Sequence, residues 1–71
     1  MDTRQKLKTL LDHWIEHNAS HGEEFEKWAQ RADEAGLAEI AREIRAAADR
    51  LREATDCLDR ASARLRSDPT P

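Results

Sequence analysis

His13, His17 and His21 are all the histidine in this 71-residue chain, and they follow one another at four-residue intervals. They lie in His13-Trp14-Ile15-Glu16-His17-Asn18-Ala19-Ser20-His21, inside an otherwise apolar helical stripe. Four-residue spacing stacks side chains on one helix face, so the imidazoles form a column. Neutral imidazole nitrogens ligate divalent transition metals, and two histidines at i and i+4 can chelate one ion. His13 and His21 are about 12 Å apart along a helix that rises 1.5 Å per residue, so a straight helix does not bring all three rings to one ion. A complete site takes further ligands, and if a second chain packs on the Ala47/Ala54/Ala61 row, His17 and His21 of both chains are expected to converge in a four-histidine or mixed His/Glu site at the bundle or dimer core. Glu24, one turn beyond His21, is placed to coordinate or to orient an imidazole from behind. The candidate ligands are therefore His13, His17, His21 and Glu24, and imidazole's preferences point to Ni, Co, Zn or Cu.

The apolar stripe of the first helix centres near Trp14 and Phe25, with His21 about 20° from that centre. Asn18 lies about 40° to one side and His17 about 60° to the other, with Glu24 and His13 farther out on the His17 flank. This phase puts polar rings and an amide in mid-core, where burial is costly unless each group finds a partner. Two further readings stay open. A structural polar layer of His21 and Asn18 would fix register across a bundle. A proton- or haem-linked role would use the tendency of imidazoles as a class to titrate near neutral pH. Cys57 falls on the His17 flank, roughly opposite Ile15, and reads as a partly exposed bystander more than a thiolate ligand. Glu53 reads as a solvated charge. There is no Ser/His/Asp set, phosphate loop or carboxylate pair in a pocket, and two helices offer little concave surface. The chain is not expected to be an enzyme.

Two helices and a tail account for the elements that position these residues. Asp2 with Gln5 is a cap pair for a first helix over about 3–35. Gly36-Leu37 reads as a helix stop with an apolar clasp, and a second helix follows over about 37–66. Residues 67–71, Ser-Asp-Pro-Thr-Pro, are expected to fray as a disordered tail. In the second helix Leu37, Ile44, Leu51, Leu58 and Leu65 hold one seam position; Ile40, Ala47, Ala54 and Ala61 hold the other. A turn at Gly36 sets Trp28 across from Ile44, Phe25 from Ala47, Asn18 from Ala54 and Trp14 from Leu58. Aromatics meet alanines. The expected fold is an all-α antiparallel hairpin with helices roughly 45 Å long. A lone hairpin buries only one seam, so a homodimer forming a four-helix bundle is expected. Ser20 with Glu23 could start a new helix before Gly22, but Trp14, His21 and Trp28 keep seven-residue spacing across that point, which favours one continuous helix.

Composition narrows the functional class. Charged and hydrophobic residues each make up 38% of the chain, and Gly and Pro are scarce, which favours long helices. A formal charge of −3, with signs interspersed, argues against nucleic-acid binding, which wants a concentrated basic face. No apolar run approaches a membrane span and no signal-peptide pattern is present. A single cysteine excludes an internal disulfide, and a free thiol suits a cytoplasmic location.

The string His13-Trp14-xx-His17-Asn18-xx-His21-xxx-Phe25-xx-Trp28-Ala29, followed by Glu34-Ala35-Gly36-Leu37 and an Ala/Leu/Glu helix, resembles a family of very small prokaryotic helical hairpins. That family is known as a domain of unknown function that accompanies nickel or cobalt uptake and cobalamin-related genes. The likeness covers about residues 7–62, and its specific part is the HWxxHNxxH segment. It implies that His13, His17 and His21 act together on a transition metal in storage, delivery or sensing, with a metal-transport protein or metallochaperone as partner. The rival reading is a structural or protein-interaction module whose His and Asn side chains only set register.

Overall fold

The computed structural model describes residues 2–68, which form two helices, α1 over Thr3–Glu34 and α2 over Ala38–Ser67. The Asp2 carboxylate accepts a hydrogen bond from the Gln5 backbone N–H at 2.9 Å, satisfying one of the donors a helix start leaves open. α1 stops at Gly36, whose φ is +79°. There the Gly36 N–H donates to the Asp33 carbonyl at 3.0 Å and the Leu37 N–H to Ala32 at 2.8 Å, the paired backward bonds of a Schellman stop. The Leu37 carbonyl accepts from the Ala41 N–H and opens α2. α1 runs unbroken through Ser20, His21 and Gly22, so no third helix starts there. Ser67 still belongs to α2, and Asp68 forms an ion pair with Arg4 at 3.4 Å. The expected loose tail therefore does not include these two, and its remainder, 69–71, lies outside the described residues.

The seam between the helices is narrow and made largely of small residues. Leu11, Ala29, Ala32, Ala41 and Ala48 are buried. Half-buried Ile15, Asn18, Gly22 and Phe25 extend the seam on α1, and Ile44, Leu51, Thr55, Leu58, Ser62 and Leu65 extend it on α2. The leucine row of α2 is thus the seam, except at its first member, Leu37, which is exposed beside the turn. The second row is corrected: Ala41, Ala48, Thr55 and Ser62 face α1, whereas Ile40, Ala47, Ala54 and Ala61 are exposed. Pairing shifts by about one residue, so Ala29, not Trp28, packs with Ile44, in a cluster that also holds Ala32 and Ala41.

The two flanks of this seam differ in chemistry. On one, Asp33 pairs with Arg45 at 2.7 Å and Glu26 with Arg52 at 3.6 Å across the helices. Such exposed pairs are worth less than about 1 kcal/mol, so they set register more than stability. Arg52 is held above its ordinary pKa, chiefly by its hydrogen bond to Asp49 and against some desolvation, with Asp49 and Glu26 charges adding to it. The other flank is apolar and uncovered: Leu7, Leu10, Trp14 and Trp28 from α1 with Leu37 and Ile40 from α2 are all 38–53% exposed. The molecule is a rod of 55 × 17 × 12 Å, and no helix among the described residues is long and apolar enough to cross a membrane.

Candidate metal centre

His21 occupies the seven-residue row of Leu7, Trp14 and Trp28, and His17 the row of Leu10 and Glu24. Both rows belong to the uncovered apolar flank. This corrects the expected burial: His13, His17 and His21 are exposed, and the seam at their level is filled by Ile15, Asn18, Gly22 and Phe25. Among the described residues no polar or charged side chain is buried. The cause lies in the apolar pattern itself. α1 carries two adjacent apolar stripes, the seam and the outer flank, and their average falls between them, near Trp14 and Phe25, which makes the flank residue His21 look central.

Within the column the rings converge unequally. The Nε2 atoms of His17 and His21 stand 2.7 Å apart, with ring centroids at 4.4 Å and planes inclined by 52°. A hydrogen bond at that separation needs an Nε2–H on one ring and a bare Nε2 on the other, so the tautomers decide which ring donates. The His13 ring is farther from His17, centroid to centroid 5.6 Å, and the Phe25 ring lies 6.3 Å beyond His21. Glu24 is exposed on the His17 row and is not brought to the pair. Among the described residues no set of three or more His, Cys, Asp or Glu side chains is gathered as a metal cage. Glu16, absent from the expected ligands, lines a shallow hollow with His13 and His17. Its position three residues after His13 was the available signal. Cys57 is exposed, and its Sγ accepts from Arg60 Nη2 at 3.2 Å.

The chemistry open to this arrangement is bidentate chelation. Two nitrogens that each sit about 2.0–2.1 Å from one ion stand roughly 3 Å apart. Shifting the donating ring's proton from Nε2 to its Nδ1, which keeps both imidazoles neutral, and opening by a few tenths of an ångström would bring the His17–His21 pair to about that spacing. No backbone movement is required, because both rings hang from one rigid helix.

A family model described as "Domain of unknown function (DUF8180)" matches residues 7–65, a span that includes the whole histidine column. An uncharacterized protein of Archaeoglobus fulgidus is 40% identical over 57 residues, covering 80% of this chain and 90% of the relative. Neither description names a metal. No solved structure matches the chain.

Proposed function

We propose that this chain, which belongs to the DUF8180 family, is a transition-metal-binding hairpin that works as a homodimer. The observation that carries the reading is the 2.7 Å approach of the His17 and His21 Nε2 atoms on an exposed helix face. Ni, Co, Zn and Cu suit such imidazole pairs. The role is storage, delivery or sensing of the ion in the cytoplasm, in exchange with a metal-transport protein or metallochaperone.

Exposed area supports the second copy. A monomer of 8.1 kDa ordinarily presents about 4,500 Å² of surface, whereas this chain presents 5573 Å². The excess, roughly 1,100 Å², is larger than the ~800 Å² each partner buries in a standard interface. The flank is also self-complementary, with Trp14 and Trp28 on α1 beside the alanine row Ala47, Ala54 and Ala61 on α2.

A rival reading makes the histidines a register device between copies, with the His17–His21 contact inside α1 leaving the pair partnered without an ion. Melting curves of chelator-stripped protein with Ni, Co, Zn or Cu separate the two. At one hundred times Kd, binding to the folded state alone adds about 2.7 kcal/mol. The metal reading expects a clear rise in Tm that His17→Ala and His21→Ala each remove. A Tm unmoved by all four metals would remove the metal reading.

A further inference from the structure

We infer that the ion is shared between two copies of the chain, held by His17 and His21 of each, so that metal binding and dimerisation are one coupled equilibrium. The inference rests on the metal-binding reading above and assigns the missing ligands.

Several observations converge on it. One chain brings two ring nitrogens to a point, and ions such as Zn take four ligands. The pair sits on the uncovered flank rather than in the seam, on the surface a second copy would cover. His17 and His21 straddle the midpoint of α1, which runs Thr3–Glu34. A two-fold axis lying in the plane of that flank and crossing the helices at mid-length stacks α1 on the partner's α1 and keeps this level fixed, so the two pairs meet. The α2 flank residue nearest that level is Ala54, which leaves room for rings from a partner. Trp14 and Trp28, one heptad to either side of His21, would wall the site from water, and a dry hydrophobic shell strengthens and tunes a bound ion. His13 lies one turn outside the pair, where it could contact the partner's surface but not the shared ion.

Thermodynamic linkage then requires that metal tighten the dimer and that dimerisation tighten metal binding by the same factor. The test uses the full chain at low micromolar concentration, stripped with chelator and then loaded with Zn or Ni alone. Sedimentation velocity reads assembly, native mass spectrometry reads ions per particle, and circular dichroism checks that each variant keeps its helices. The expected result is one ion per dimer and a dimer constant tightened by roughly 100-fold. His17→Ala and His21→Ala should lose both effects while staying helical, and His13→Ala should keep both. One ion per single chain, or a dimer constant indifferent to metal, would overturn the sharing and leave the metal-binding reading standing. No bound ion at any metal concentration would remove that reading as well.

Discussion

A methyl group added at Gly22 would meet no neighbour within 4 Å. Gly22 lies in mid-α1, where glycine costs about 1 kcal/mol relative to alanine because of the backbone freedom it gives up. Gly22→Ala should therefore stabilise the protein by about that amount, and raise Tm by ~4–8 °C for a domain of this size. A thermal melt checks it, and a lowered Tm would mean the helices approach more closely there than the structure has them. The histidines separate by the same kind of local reasoning. Even outer-shell partners of a ligand are worth about 10–100-fold in metal affinity, so losing a ligand itself should cost at least that. We expect His17→Ala and His21→Ala to weaken binding by roughly that factor and His13→Ala to leave it near wild type, as read by competition with a chromogenic chelator. Equal losses from all three would mean that the His13 ring swings in to join the pair.

Gly36 shows what happens at the joint between elements. Space is again open around its Cβ position, yet its φ of +79° lies in the left-handed region that side-chain-bearing residues avoid. Gly36→Ala should cost about 1–2 kcal/mol, and Gly36→Asn less, measured as a shift in urea midpoint. A neutral Gly36→Ala would indicate that the turn can re-form with ordinary φ. Much of this level was legible in the sequence. The Asp2 cap, the Gly36-Leu37 stop and the Ile44-Leu51-Leu58-Leu65 row follow from local rules that tertiary packing did not override. The partner row was not legible, because Ile40, Ala47, Ala54 and Ala61 are at least as apolar as Ala41, Ala48, Thr55 and Ser62. Hydrophobic periodicity reports that a face is avoided by water, not which helix covers it. What separates the rows is the charged flank, where Asp33–Arg45 and Glu26–Arg52 lock the hairpin with Ile40 and its row turned outward. The same ambiguity displaced His21 into the expected core, while its four-residue spacing from His17, which depends only on helix geometry, placed the pair correctly on one face.

With one leucine and four alanines buried among the described residues, the hairpin has little apolar mass to hold it together. Its larger apolar side chains are instead half-buried or lie on the open flank, so the proposed second copy would add stability as well as complete the site. Ala54 is the sharpest place to test this. It is exposed at the middle of the flank, beside the level of the histidine pair. Glutamate is a good helix former, so within a monomer Ala54→Glu should change stability by no more than about 0.5 kcal/mol. Within a dimer the same change buries a carboxylate against a partner that offers it mainly hydrocarbon, a penalty of several kcal/mol. Light scattering behind size exclusion should thus find Ala54→Glu monomeric at concentrations where the wild type is dimeric. Ala63→Glu, an exposed alanine off that flank, should leave the dimer intact. If both variants stay dimeric, the copies meet through another surface, and the Trp14–His21–Trp28 row is left facing water. If Ala54→Glu alone dissociates and its metal affinity falls with it, the face that completes the fold is also the face that completes the site.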